Sequence, residues 1–124
     1  VTIFLSVFNV HVNRVPIAGT IEEIRYNPGK FLAAFNPKAS MDNEQNIILI
    51  NNGKTHVFVK QIAGLIARRI VCWPKKGDYY ESGQRYGLIR FGSRVDILLP
   101  ETTRLSVACG DRVSGGKSII GYLT

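Results

Sequence analysis

The stretch "NIILINNGKTHVFVK", residues 46–60, decides the fold class. Two runs rich in β-branched and aromatic residues, "NIILI" (46–50) and "THVFVK" (55–60), flank "NNGK" (51–54). Such side chains fit a pleated, half-buried surface. Asn and Gly accept the positive φ of tight hairpin turns, so the segment predicts an antiparallel hairpin. Runs of the same kind recur on both sides: "TIEEIRY" (20–26), "RVDILL" (94–99) and "SIIGYL" (118–123). The opening "VTIFLSVFNV" reads as a further, buried strand; it lacks the basic region and small-residue cleavage site of a signal peptide. "KQIAGLIARRIVCW" (60–73) is ambiguous by periodicity, and Gly64 with the β-branched pair Ile70-Val71 favours a strand that bends. Short helices fit "PGKFLAAF" (28–35) or "PKASMDNEQ" (37–45).

Two segments resemble each other, "KKGDYYESGQRYGLI" (75–89) and "ACGDRVSGGKSIIGYL" (108–123). Each carries Gly-Asp, four residues, Gly, then a short strand closed by Gly, which makes a strand-turn-strand unit used twice. The glycines serve turns at which a Cβ would clash. Asp78 and Asp111 are expected to close Asx turns rather than to do chemistry. Paired turns of this sort occur in sandwiched β-barrels resembling biotinyl and lipoyl domains, but the modifiable Lys of a carrier, set between apolar neighbours at a hairpin tip, is absent. The expectation is a mainly β chain with residues 1–124 forming a single domain, a sandwiched β-barrel carrying one or two short helices.

Composition narrows the function classes. At 124 residues and 45% hydrophobic the chain suits one core, and no run approaches the roughly 18 apolar residues of a membrane span. Sixteen Lys and Arg against nine Asp and Glu give +7, which draws anionic partners: nucleic acid, an anionic membrane surface or an acidic substrate. Nucleic acid is disfavoured, because the aromatics do not interleave with Lys and Arg as a stacking platform requires; Tyr79-Tyr80 beside Lys75-Lys76 lies in a turn. The "ARR" run (67–69) and Lys75-Lys76 offer a basic face toward anionic headgroups, at about 1 kcal/mol per cation near the surface. Cys72 and Cys109 stand singly and read as reduced, half-buried thiols; with two His and no Cys/His cluster, no metal is expected. Phe4, Phe8, Phe31 and Phe35 read as core, although a lipid-tail pocket uses the same residue types. His56, at the start of the strand after the hairpin, reads as solvated.

In "YGLIRFGSRVDILLP" (86–100), Gly92-Ser93 interrupts a strand; alone, the pair reads as a bulge whose Ser satisfies a backbone group. Taken with "FLSVFNVHVNRVPIAGTIE" (4–22) and "KQIAGLIARRIV" (60–71), "GQRYGLIRFGSRVD" (83–96) resembles the short-form phosphatidylserine decarboxylases, over nearly the whole chain. The resemblance implies that Ser93 is the precursor of a pyruvoyl cofactor. Its Oγ attacks the carbonyl of Gly92, and an N-to-O acyl shift gives an ester. Elimination then frees Gly92 as the C-terminus of a β chain, and dehydroalanine at 93 hydrolyses to pyruvoyl with release of ammonia, leaving an α chain of 93–124. Gly92 suits the attack because it lacks a Cβ. The chemistry needs such a group: losing carbon dioxide from an amino acid leaves a carbanion beside nitrogen. A Schiff base to a carbonyl absorbs that charge, and no ordinary side chain supplies a carbonyl.

The same resemblance gives His11, in "FNVHVNRVP", the role of positioning the substrate carboxylate or returning a proton, which a group titrating near neutrality can do. Asn13 and Arg14 are the expected substrate-binding residues, Arg14 by bidentate contact with phosphate or carboxylate; a surface pairing of Arg14 with Glu22 or Glu23 is the competing reading. Longer family members carry a second His where this chain has Arg14, and an upstream Asp motif that this chain lacks; an N-terminal segment is expected to be missing. The implied activity converts phosphatidylserine to phosphatidylethanolamine. It is expected at an anionic membrane surface, peripherally on the cytoplasmic face of the cell membrane. The implied protein has no metal, no external cofactor and no nucleic-acid partner; its β and α chains stay associated, and a homodimer is a family-level expectation. Two other readings stay open: a non-catalytic basic β-barrel binding module, and pyruvoyl chemistry on another amino acid.

Overall fold

Antiparallel pairing organises the chain in the computed structural model, which describes residues 1–5, 10–30, 36–38, 42–64, 70–90 and 93–124, with Val10, His11 and Arg90 described by their backbone alone. The strands are β1 (Thr2–Phe4), β2 (Val10–Arg14), β3 (Gly19–Asn27), β4 (Gln45–Asn51), β5 (His56–Ile62), β6 (Ile70–Cys72), β7 (Tyr79–Tyr80), β8 (Arg85–Arg90), β9 (Arg94–Leu98), β10 (Arg104–Leu105) and β11 (Gly121–Tyr122). They form a six-stranded sheet in the order β1-β9-β5-β4-β3-β7, a three-stranded sheet β2-β8-β6, and the pair β10-β11.

The 46–60 stretch forms the predicted hairpin. Asn51 pairs with His56, Ile50 with Val57 and Ile48 with Val59. Gly53 takes φ +93, and Asn52 Oδ1 accepts from the N–H groups of Lys54 (2.9 Å) and Thr55 (2.8 Å). Alternation then sorts the faces: Ile48, Ile50, Val57 and Val59 turn inward and are buried, while His56 and Phe58 turn outward. Facing them from the three-stranded sheet are Tyr86 and Ile89 of β8, in one core with Val15, Ile21, Val95 and Ile97. Each such aliphatic side chain contributes roughly 1.5–3 kcal/mol on burial. The fold is mainly β, two curled sheets closing on one core, in keeping with the expected sandwiched barrel.

Several local expectations change. Of the opening stretch, Thr2–Phe4 forms an edge strand that among the described residues pairs only with β9, and Phe4 is 58% exposed rather than core. Phe8, Phe31 and Phe35 lie outside the described residues, as does most of the first candidate helix. In the second, Asp42 N–H donates to Lys38 O (2.8 Å) ahead of β4, and residues 39–41 lie outside the described residues. The 60–73 segment is strand at both ends, β5 and β6; pairing stops at Ile62, before Gly64, and residues 65–69 lie outside the described residues. Of "SIIGYL" only Gly121 and Tyr122 pair, and Ile119 is exposed. His56 is exposed but not merely solvated: its Nε2 lies 3.1 Å from Glu22 Oε2.

The repeated turn is real and nearly superposable in its bonds. Lys75 N–H donates to Asp78 Oδ2 and Ala108 N–H to Asp111 Oδ2, both at 2.9 Å. Gly77 and Gly110 take φ +96 and +94, where other side chains are strained. The carboxylates reach back three residues, so they close the turns from the far end and not as Asx turns.

Candidate functional site

Among the described residues, the buried polar side chains are Asn13, Asn43, Gln45, Asn46, Gln61, Ser93 and Arg94. The register brings most of them to one end of the six-stranded sheet. Gln45 pairs with Ile62, which pairs with Arg94; Asn46 pairs with Gln61, which pairs with Val95. Asn43 Nδ2 donates to Ala63 O just beyond β5. Continuing the ladder one step past Arg94 reaches Ser93, whose carbonyl accepts from Leu5 N–H at 2.9 Å.

Ser93 is 1% exposed, and its Oγ has no hydrogen-bond partner among the described residues. A buried hydroxyl left in that state costs about 1–3 kcal/mol. The next residue is firmly anchored: Arg94 Nη2 meets Asp96 Oδ2 at 3.0 Å, and Asp96 Oδ1 accepts from Thr2 Oγ1 at 2.9 Å. With β1 on one side and β5 on the other, β9 is held along both edges.

The other expected site residues fall along β2. His11 pairs with Ile89, and its side chain lies outside the described residues, as does Gly92 entirely. Asn13 is buried, with its Oδ1 accepting from Gln61 Nε2 at 2.8 Å. Arg14 is half-buried past a bulge in β2, its Nη1 donating to Gly83 O at 2.9 Å and its guanidinium lying against Gly116. It pairs with neither Glu22 nor Glu23: Glu22 holds His56 and Asn51. Gly83 and Gly116 are the glycines that follow Gly-Asp and four residues in the two repeated units, so one arginine touches both.

Sequence reasoning missed Gln61 and Asn46. The available signal was phase: Asn46 shares its strand face with Ile48 and Ile50, and Gln61 with Val57 and Val59, so amides stand where alternation demands apolar residues. Gln61 Oε1 accepts from Asn46 Nδ2 at 3.2 Å. Asn46 also bonds the Cys72 thiol, which opposes the larger effect of burial; on balance the thiol is pushed up. Cys109 is exposed in the second repeated turn, not half-buried as expected, because that turn carries no core strand.

Among the described residues no group of three or more His, Cys, Asp or Glu is placed to hold a metal ion, and no helix is long and apolar enough to cross a membrane. Lys75 and Lys76 line an open groove with Arg25, Glu23, Ile24 and Pro74, on the β3 side of the sheet and away from β9. Residues 67–69 lie outside the described residues.

Comparison with known proteins gives one consistent result. The family model for phosphatidylserine decarboxylase matches residues 1–121. The chain is 51% identical over 124 residues to the phosphatidylserine decarboxylase proenzyme of Geotalea uraniireducens, covering 99% of this chain and 58% of that protein. It is 54% identical over 125 residues to the proenzyme of Desulfotalea psychrophila, again 99% and 58%. A third such proenzyme, from Solibacter usitatus, is 54% identical over 119 residues, covering 96% of this chain and 58% of that protein. The chain thus spans under three-fifths of the length of these relatives. No solved structure matches it.

Proposed function

Since the chain belongs to the phosphatidylserine decarboxylase family, we propose that the protein containing it cleaves itself between Gly92 and Ser93 and then decarboxylates phosphatidylserine to phosphatidylethanolamine. The observation that carries the proposal is the Ser93 hydroxyl, buried without a partner among the described residues at the polar end of the sheet, on the Gly-Ser junction of the family motif. The relatives' description as proenzymes supports a processing step.

A pyruvoyl group derived from Ser93 fits these surroundings. Conversion removes a hydroxyl that holds no hydrogen bond among the described residues, and the backbone carbonyl of residue 93 keeps its donor, Leu5 N–H. The group supplies the electron-withdrawing carbonyl that decarboxylation requires. The chain's own residues do the remaining work. Strand β9 stays clamped between β1 and β5, and the Arg94–Asp96–Thr2 contacts hold the new chain end after the backbone breaks. His11 handles the substrate carboxylate or the returning proton. Gln61 engages Asn13 through Oδ1, so the Nδ2 end of that amide is the one offered to substrate. Arg14, fixed through Nη1 on Gly83, offers its remaining donors to the anionic headgroup.

Peripheral contact with an anionic membrane on the cytoplasmic face is supported by the +7 charge and by the Arg25, Lys75, Lys76 groove. Association as a homodimer is part of the same proposal. The test is carbon dioxide release by the full-length protein from vesicles containing phosphatidylserine, set against soluble serine and Ser93→Ala. Release from vesicles alone, lost in the variant, is the expected result. Release from soluble serine with none from vesicles would move the substrate to a soluble amino acid, and no release by a cleaved protein would refute the decarboxylase reading.

A further inference from the structure

Gln61 has no exposed surface, yet it uses every part of its carboxamide. Nε2 donates to Asn13 Oδ1 (2.8 Å) on β2 and to Val71 O (3.1 Å) on β6, while Oε1 accepts from Asn46 Nδ2 (3.2 Å) on β4. The remaining strand of the small sheet is hollowed to admit it. At Gly87 of β8, which pairs with both Asn13 and Cys72, an added Cβ would sit 2.1 Å from Val71 O and 2.8 Å from Gln61 Nε2. One amide therefore meets all three strands of the small sheet from the inner face of the large one.

Its place relative to the candidate chemistry is as telling. Gln61 pairs with Val95, two residues along the strand from Ser93 and on the same face, a step of about 7 Å. Asn13 is two residues from His11 on β2. Apolar replacement of a buried amide set and its partners is often neutral in stability, so stability alone gives no reason to keep amides here. We infer that Gln61 is a positioning residue: through Asn13 and Val71 it fixes the strand carrying His11 against the strand carrying Ser93, and so sets the geometry of self-cleavage and of turnover. The inference rests on the function proposed above.

The test follows cleavage of freshly synthesised full-length protein as a single-turnover reaction, which precedes any decarboxylase activity. Gln61→Met keeps the shape and removes the donors. Gln61→Glu keeps the shape and puts an acceptor opposite Asn13 Oδ1 and Val71 O, and acidification restores a donor. Val57→Ala, in the buried core four residues away on the same strand face, controls for lost stability. Gln61→Met is expected to slow cleavage about tenfold or more, since displacement of reacting groups by about 1 Å costs rates of that order. Val57→Ala should cleave at the wild-type rate, and Gln61→Glu should recover as pH falls. If Gln61→Met does not fold, recovery of Gln61→Glu decides the matter. Wild-type rates in the Gln61 variants that fold, no recovery in Gln61→Glu, or equal slowing in Val57→Ala, overturn the inference while leaving the proposed function standing. An uncleaved wild-type protein overturns both.

Discussion

Three inward-facing rungs of one ladder divide the molecule. On the inner face of β4 and β5, Ile50 meets Val57, Ile48 meets Val59, and then Asn46 meets Gln61, all buried. The backbone geometry is the same throughout, and only the chemistry changes. At the hairpin end the face does what a sheet interior ordinarily does, excluding water with branched aliphatics. At the other end it carries amides linked to a second sheet and leads to a serine whose hydroxyl has no partner among the described residues. Under the function proposed above, the difference teaches that stability and chemistry fall at opposite ends of the same strands.

Substitutions can break that division. The largest effect is expected from Ser93→Ala, which removes self-cleavage altogether, read by gel electrophoresis of the purified protein. Its unfolding midpoint should stay at or above that of an uncleaved reference, because no hydrogen bond is lost. The converse case is Ile50→Ala. Loss of a fully buried side chain costs about 2–5 kcal/mol in denaturant unfolding, with the folded fraction still cleaving. Gly87→Ala strikes both properties together. The added methyl forces Val71 and Gln61 apart at a cost of about 1–3 kcal/mol and slows cleavage as well. Smallest is Tyr86→Phe, which removes from the core a buried hydroxyl without a partner among the described residues, and unfolding should show no loss or a gain of up to about 1 kcal/mol. A large loss there would mean that the apolar end also depends on polar contacts, and the division would fail.

The hairpin was legible because it is local: alternation and turn chemistry act within fifteen residues, and nothing distant needs to be known. So was the repeated Gly-Asp turn, down to its two glycines. What each turn leads into was not legible, because the same local bonds precede a core strand in one unit, with Tyr86 and Ile89 buried, and an exposed pair in the other. That outcome depends on what faces the strand. Phe4 was misread for the same reason, since an edge position is a property of the sheet and not of the residue. At the site, Ser93 followed from the resemblance, whereas Gln61 and Asn46 were visible as phase errors in otherwise apolar strands. The partner of Gln61 on the second sheet, Asn13, lies 48 residues away in sequence, a separation no local pattern spans.

The central claim is that Ser93 is a reacting residue. It is tested most directly by the intact mass of the full-length protein under denaturing, reducing conditions. The account predicts two polypeptides divided between Gly92 and Ser93, the C-terminal one lighter than its serine form by one ammonia. They should travel together on size exclusion until denaturant is added, because β9 is held between β1 and β5. A single chain of unbroken mass, with serine intact at position 93, would contradict it.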